Sequence, residues 1–113
     1  MKIASLTEDI VYNEKKPSIN ILIETETSKE IRIVFKKGQQ MKEHKTPFPI
    51  VVEIFKGAIG FGVNGEKQHL VAGSLIALDG NIPHDLTALE DSIVRLSLSK
   101  KDNLERVKSI KTA

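Results

Sequence analysis

Apolar and polar residues alternate in short runs along most of this chain, and the alternation predicts β-strands. The runs INILI at 19–23 and IRIVF at 31–35 place isoleucine or phenylalanine at every second position. Because successive side chains of a strand point to opposite faces of the sheet, each run predicts a strand that is buried on one side. The polar residues 25–30 between the two runs predict a hairpin loop.

Further short runs with strand character follow, and each is bounded by residues that favour turns. They cover residues 50–55, 58–63, 66–71, 74–78, 84–89 and 92–99. Asn64-Gly65, between two of these runs, is the strongest short signal for a hairpin, because both central residues of the tight turn need a positive φ. Strands of this length, with a turn signal about every 8–12 residues, indicate an all-β sandwich or barrel.

The end of the chain shows a different spacing. Leu104, Val107 and Ile110 follow one another at steps of three, which predicts a short C-terminal helix at about 102–111. This stretch carries more basic than acidic side chains. We expect it to be a solvated terminal helix rather than an arm that binds nucleic acid.

Composition bounds the size and the interior of the protein. The 113 residues are enough for one domain, residues 1–113, with a barrel core at about 19–99. Hydrophobic residues make up 40% of the chain and charged residues 28%, which is ordinary for a globular protein. Since there are only four Phe and one Tyr, we expect Ile, Val and Leu to fill the interior.

Charge and cysteine content exclude several classes of protein. The formal net charge is +2, from 17 basic and 15 acidic side chains, whereas a dedicated nucleic-acid binder would show a strong basic excess. The chain has no Cys, which excludes disulfides, thiolate catalysis and cysteine-ligated zinc. Residues 1–16 contain no apolar stretch long enough for a signal peptide or a membrane span, so we expect a cytoplasmic protein with no membrane partner.

Two spaced motifs lie between residues 38 and 88. The positions of the first are Gly38, His44, Thr46, Ile50 and Gly57. In the second, His84 follows Gly73 by eleven residues and closes the turn IPH. These spacings resemble the two motifs of cupins, which are small jelly-roll barrels. The resemblance implies an all-β fold with a single cupin-type jelly-roll β-barrel, and it implies no particular activity, because this barrel hosts many.

The metal-binding positions of the motifs are incomplete. In cupins the metal ligands are two histidines and a glutamate of the first motif and one histidine of the second. His44 and His84 stand at two of these positions, but Thr46 replaces a histidine and Ile50 replaces the glutamate. Divalent ions want three or four strong ligands. We therefore expect a degenerate metal site and no cofactor. The alternative is a divalent transition metal (Fe, Zn, Ni or Mn) held by His44 and His84.

The same region is predicted to form a ligand pocket. By the two-residue period of a strand, Gln40 shares a face with His44 and Thr46 if no bulge intervenes. Phe48 lies where the loop of the first motif would frame the barrel mouth. The predicted pocket residues are His44, His84, Thr46, Ile50, Gln40 and Phe48.

Three other polar residues are expected to lie outside the pocket. Glu53 has the opposite parity to Ile50 and should point away from the barrel interior, unless the nearby prolines shift the register. His69 follows the Asn-Gly turn and is expected to face solvent. Arg95 interrupts an apolar run and is expected on the outer face of the sheet.

Three kinds of function stay open. The favoured one is a metal-independent binding or sensing module for a small polar metabolite. The others are a metal-dependent oxygenase or isomerase with a reduced ligand set, and an interaction or structural protein. We assign no catalytic residue, because no paired carboxylate, activated Ser or Cys arrangement or Gly-rich phosphate loop is present. We expect a homodimer, since a sandwich has outer faces and edge strands that association can cover.

Overall fold

Two antiparallel β-sheets make up the fold in the computed structural model, which describes residues 1–101 and 107–112. The strands are β1 (Ser18–Glu24), β2 (Ser28–Phe35), β3 (Gln40–His44), β4 (Ile50–Lys56), β5 (Ala58–Val63), β6 (Glu66–Val71), β7 (Leu75–Leu78), β8 (His84–Ala88) and β9 (Ser92–Ser99). One sheet has the order β1-β2-β9-β4-β7 and the other β3-β8-β5-β6. The predicted all-β class is confirmed. None of the described segments is a helix long and apolar enough to cross a membrane.

The core lies between the two sheets and follows the two-residue period of the strands. From the five-stranded sheet, β2, β4 and β9 contribute the buried side chains Ile31, Ile33, Phe35, Ile50, Val52, Ile54, Val94, Leu96 and Leu98. From the other sheet, β3, β5 and β8 contribute Met41, Ile59, Phe61, Leu86 and Ala88. Burying one large apolar side chain stabilises the fold by about 1.5–3 kcal/mol, so the facing rows hold the sheets together.

The β5–β6 hairpin turns at the predicted residues. Asn64 and Gly65 have φ angles of 53° and 78°, as a tight hairpin turn with two left-handed central residues requires. Val63 pairs with Glu66 directly across the turn. His69 is exposed on β6, as expected from the sequence.

The C-terminal segment packs against the sheets instead of extending into solvent. Part of the predicted helix falls on residues 102–106, which lie outside the described residues. In the described part, Val107 and Lys108 have helical backbone, and Ile110 follows in a bend. Val107 is completely buried and Ile110 packs against the core. The expectation of a solvated helix is therefore wrong for residues 107–112, because their apolar side chains fill an opening between the sheets.

The N-terminal segment is held to the outer face of the five-stranded sheet by Arg32. This side chain is only 4% exposed on β2. Its Nη1 donates a hydrogen bond to the carbonyl of Glu8 at 2.8 Å, and its terminal nitrogens lie within 3.5 Å of the carbonyls of Ser5, Leu6 and Asp9. A buried guanidinium needs such acceptors because it stays charged.

Replacing Arg32 by methionine is expected to release this segment while keeping the apolar stem. A hydrogen bond from a charged group contributes about 1.5–3 kcal/mol, so amide exchange of residues 5–9 should become roughly 10- to 100-fold faster. Hydrogen–deuterium exchange measured by mass spectrometry checks this. Arg32→Lys, which keeps the charge but loses the fork of donors, should give an intermediate rate. Unchanged exchange in both variants would show that Arg32 does not hold the segment.

The outer face of β4 and β7 presents apolar side chains to solvent. Val51, Phe55 and Leu75 are 40%, 38% and 65% exposed. An association of two protein molecules through this face would cover these side chains. The homodimer expected from the sequence stays a prediction.

Candidate functional site

Two histidines face each other where β3 meets β8. His44 ends β3, His84 begins β8, and the two residues pair directly across the strands. Their ring centroids are 4.3 Å apart and their planes meet at 61°. We call His44 and His84 the imidazole pair. The pairing of β3 with β8 brings these two histidines together, although they lie forty residues apart in the sequence.

The backbone orients both rings of the imidazole pair. Nδ1 of His44 lies 2.7 Å from the carbonyl oxygen of Lys42, and Nδ1 of His84 lies 2.9 Å from that of Ile82. A carbonyl oxygen can only accept, so Nδ1 is the donor in each case. In the neutral rings Nε2 is then the nitrogen with the lone pair.

His84 is the more rigidly held member of the pair. Its side chain is only 3% exposed, whereas His44 is half-buried. The ring of His84 also stacks on Phe61 of β5, with centroids 5.6 Å apart and planes at 3°. Because Phe61 is completely buried, the position of His84 is fixed by the core.

A small cavity adjoins the imidazole pair between the two sheets. Its volume is about 30 Å³, close to the share of liquid volume that one water occupies. Among the residues that the structure describes, its polar lining consists of the imidazole pair and Thr46, and the other lining residues are Ile, Val, Leu or Met. The polar groups come from the loop after β3 and the facing ends of β3 and β8, so the cavity combines a polar end with apolar walls.

The structure brings together four of the six predicted pocket residues. His44, His84, Thr46 and Ile50 all line this cavity. Thr46 and Ile50 are 3% and 5% exposed. These two buried side chains therefore share one cavity with the imidazole pair.

Gln40 does not line the cavity, because β3 contains a bulge. Met41 pairs with Leu86, and the imidazole pair comes next, three residues further along β3 but only two along β8. The extra residue reverses the alternation, so that Met41 and His44 both line the cavity. The shared face expected for Gln40 depended on an unbroken period of two, and β3 does not keep it.

Phe48 also lies outside the cavity lining. It is half-buried in the loop between β3 and β4, and its backbone N–H lies 3.4 Å from Thr46 Oγ1. This loop packs on the turn after β7: Asn81 donates its N–H to the carbonyl of Thr46 at 2.6 Å. A Cβ at Gly80 would overlap the carbonyl of Pro47. The close contact between the two loops turns Thr46, rather than Phe48, towards the cavity.

Val107 and Ile110 are lining residues that the sequence did not predict. Both contribute to the cavity wall. Their spacing of three residues was a signal of an apolar face. The spacing could not show that these two side chains line the cavity, because the opening that they fill exists only once the sheets have formed.

Among the described residues, the side chains that line the cavity offer fewer donors than an ordinary metal centre uses. Mononuclear sites for ions such as Zn²⁺ use three or four protein donors, but Thr46 offers a neutral hydroxyl and Ile50 offers hydrocarbon. Within residues 1–101 and 107–112, no group of three or more His, Cys, Asp or Glu side chains could hold a metal ion. The described donors supply half of the cupin ligand set.

Glu53 does not complete the donor set, since it lies on the outer face of β4. Arg95 Nε donates a hydrogen bond to Glu53 Oε1 at 2.8 Å, and Arg95 Nη1 donates one to Glu30 Oε1 at the same distance. The hydrogen bond to Glu53 is the main reason why the pKa of Arg95 is raised. The expected outward positions of Glu53 and Arg95 are both confirmed.

Solved structures that are similar to this chain include cupins. An RmlC-like cupin protein from Desulfovibrio desulfuricans aligns with a TM-score of 0.81 at 20% identity, over 88% of this chain and 96% of its own. An uncharacterized conserved protein with a double-stranded β-helix domain from Klebsiella pneumoniae aligns with a TM-score of 0.78 at 19% identity, over 100% and 96%. A conserved protein of unknown function from Streptococcus pyogenes gives 0.75 at 22%, over 90% of each chain.

These likenesses show the fold. The chain has the cupin fold, a small jelly-roll or double-stranded β-helix, and the resemblance seen in its two motifs is confirmed at that level. No protein-family model and no curated protein matches the sequence. The fold by itself does not define a function.

Proposed function

We propose that this chain is a binding or sensing module that takes a small organic ligand inside the cupin barrel without a metal ion. The observation that carries the proposal is the imidazole pair, with Thr46, at one end of a cavity whose other described lining residues are apolar. Ligand sites commonly combine such walls with a few converging polar groups that fix the orientation of the ligand. The metal-dependent alternative has only two strong donors among the described residues to support it.

The cavity chemistry favours an amphipathic ligand over the polar metabolite expected from the sequence. The aliphatic walls suit a hydrocarbon body, while the imidazole pair and the Thr46 hydroxyl suit one polar end. A protonated imidazole donates from both nitrogens, so a ring that gives Nδ1–H to a carbonyl can give Nε2–H to an anion. We therefore propose a ligand with an apolar body and a carboxylate or similar anionic group.

Octanoate is a simple probe of this chemistry, and its affinity should depend on pH. A falling pH favours protonation of an imidazole, and the resulting cation attracts a carboxylate. We expect octanoate to bind about tenfold more tightly at pH 5.5 than at pH 8, since a charged hydrogen bond contributes about 1.5–3 kcal/mol. Isothermal titration calorimetry measures the affinity at each pH. Octanamide, which has the same body and a neutral head, should show no such dependence.

His44→Ala is expected to weaken octanoate binding about tenfold at pH 5.5, for the same energetic reason, and to flatten its pH dependence. His44 is the better choice for substitution because it is half-buried, while His84 is packed in the core. The matched control is His69→Ala, which removes an exposed histidine on β6 and should leave both properties unchanged. An affinity that stays flat from pH 5.5 to 8 in the unaltered chain, or equal losses in the two variants, would contradict the proposed function.

A further inference from the structure

The C-terminal segment lies in the opening between two edge strands, one from each sheet. On the side of β3, the N–H of Lys42 donates to the carbonyl of Lys111 at 2.7 Å, and Met41 forms an antiparallel bridge with Thr112. On the side of β1, the segment shares a surface cleft with residues 18–19. Residues 107–112 therefore cover the lateral opening of the barrel.

This segment occupies the space that a ligand would need. Val107 is completely buried, and the side chains of Val107 and Ile110 form part of the cavity wall. With them in place the cavity is about 30 Å³, whereas pockets for small organic ligands measure about 300–1,000 Å³. The closed form has room for about one water, so an organic ligand needs the segment to move.

The contacts of the segment with β3 suit a part of the chain that can detach. It meets β3 in an isolated bridge instead of a continuous ladder. Lys108, Ser109 and Lys111 are exposed and Ile110 and Thr112 are half-buried, so Val107 is the only fully buried residue among 107–112. Ile110 separates the inner cavity from the surface cleft, because it lines both. Segments with few buried contacts and solvent-exposed backbone open at lower free energy than the core.

We propose that residues 107–112 are a displaceable gate: Val107 and Ile110 fill the ligand space in the closed form, and a ligand binds when the segment swings out of the β1–β3 opening. The inference rests on the proposed function, and it adds the regulation of that site. Displacing Ile110 would join the inner cavity to the surface cleft and give the ligand its entrance. The affinity for a ligand is then reduced by the fraction of molecules in which the gate is closed.

Thiol labelling tests the opening of the gate without any ligand. The chain has no Cys, so a single introduced thiol reports one position. We compare Val107→Cys in the gate with Val94→Cys in the central strand β9, since both valines are completely buried; Lys108→Cys gives the exposed limit. Val107→Cys should react with Ellman's reagent at least about 100-fold faster than Val94→Cys, because local opening costs less than global unfolding.

A reversible cross-link tests whether the gate controls binding. Lys42 and Lys111 lie opposite each other in the bridge between β3 and the gate. The Cβ atoms of such cross-strand neighbours are about 4.5–5.5 Å apart, close enough to the span of a disulfide. In Lys42→Cys/Lys111→Cys, oxidation should lower the affinity for octanoate at least about tenfold, and reduction should restore it. Calorimetry on the oxidised and reduced forms gives the comparison.

The outcomes separate the gate from the proposed function. Labelling of Val107→Cys as slow as that of Val94→Cys would overturn the gate, and so would equal octanoate affinities in the oxidised and reduced forms. In the second case the pocket would still be a ligand site. If octanoate binds neither form while Val107→Cys reacts rapidly, the segment opens as inferred, and it is the proposed function that is overturned.

Discussion

Phe61→Ala is expected to lower the free energy of unfolding by about 3–5 kcal/mol, the usual range for removing a buried aromatic side chain. Phe61 is completely buried between the sheets, at the centre of β5. It also stacks on His84, so the substitution removes the surface that fixes one ring of the imidazole pair. Urea unfolding followed by far-ultraviolet circular dichroism measures the loss of stability.

Phe55→Ala is the matched control for this substitution. The same atoms are removed, but Phe55 is 38% exposed on β4 and should cost about 1 kcal/mol, as a partly exposed side chain does. Equal losses in the two variants would mean that burial between the sheets does not set the stability. Phe61→Leu, which keeps most of the volume, should cost less than Phe61→Ala.

Gly57→Ala is expected to destabilise the protein by about 3 kcal/mol for two reasons that add. Gly57 joins β4 to β5, where the chain passes from one sheet to the other, and its φ is 87°. A residue with a Cβ pays about 1–2 kcal/mol for such a conformation. A Cβ at this position would also overlap Ser92 Oγ and the carbonyl oxygen of Asp91, and overpacking costs about 1–3 kcal/mol.

Gly65→Ala separates the two contributions. Gly65 also has a positive φ, 78°, but no atom lies within 4 Å of the position that its Cβ would take. It should cost only the conformational part, about 1–2 kcal/mol. Urea unfolding of the two variants gives the difference. If Gly65→Ala is as damaging as Gly57→Ala, the close approach to the start of β9 does not contribute.

The proposed function and the gate together describe a protein with two states. In the closed state Val107 and Ile110 complete the core, and in the open state a ligand takes their place beside the imidazole pair. The ligand shifts the population towards the state to which it binds better. Because the segment is displaced in that state, the surface of the protein changes when the ligand binds. That is the property a sensing module requires, and it needs no reaction at the site.

The resemblance of the two motifs to those of cupins implied that His44, Thr46 and Ile50 lie near His84, and all four line one cavity. That these residues form a ligand site stays a prediction. Turn positions such as Gly57, whose neighbours leave no room for a Cβ, help to fix where each strand begins. Which ligand the barrel takes depends on the volume and chemistry of the space between the sheets, and neither is a local property of the chain.

An apolar residue at every second position was enough to predict strands such as β9 from the sequence, and Asn64-Gly65 was enough to predict the β5–β6 hairpin. Burial on one face leaves a local period of two that any short window contains. The apolar pattern did not predict strand β3, because Met41 is its one fully buried residue. The bulge in β3 also shifts the alternation that would have placed Gln40 on the same face as His44.

The tertiary structure is needed to explain why Val107 and Ile110 line the cavity. The spacing of Val107 and Ile110 indicated an apolar face, and a solvated helix was the simplest local interpretation. The folded sheets leave a lateral opening between β1 and β3, and burying these two side chains there removes apolar surface from water. That gain depends on residues far apart in the chain, so no local pattern encodes it.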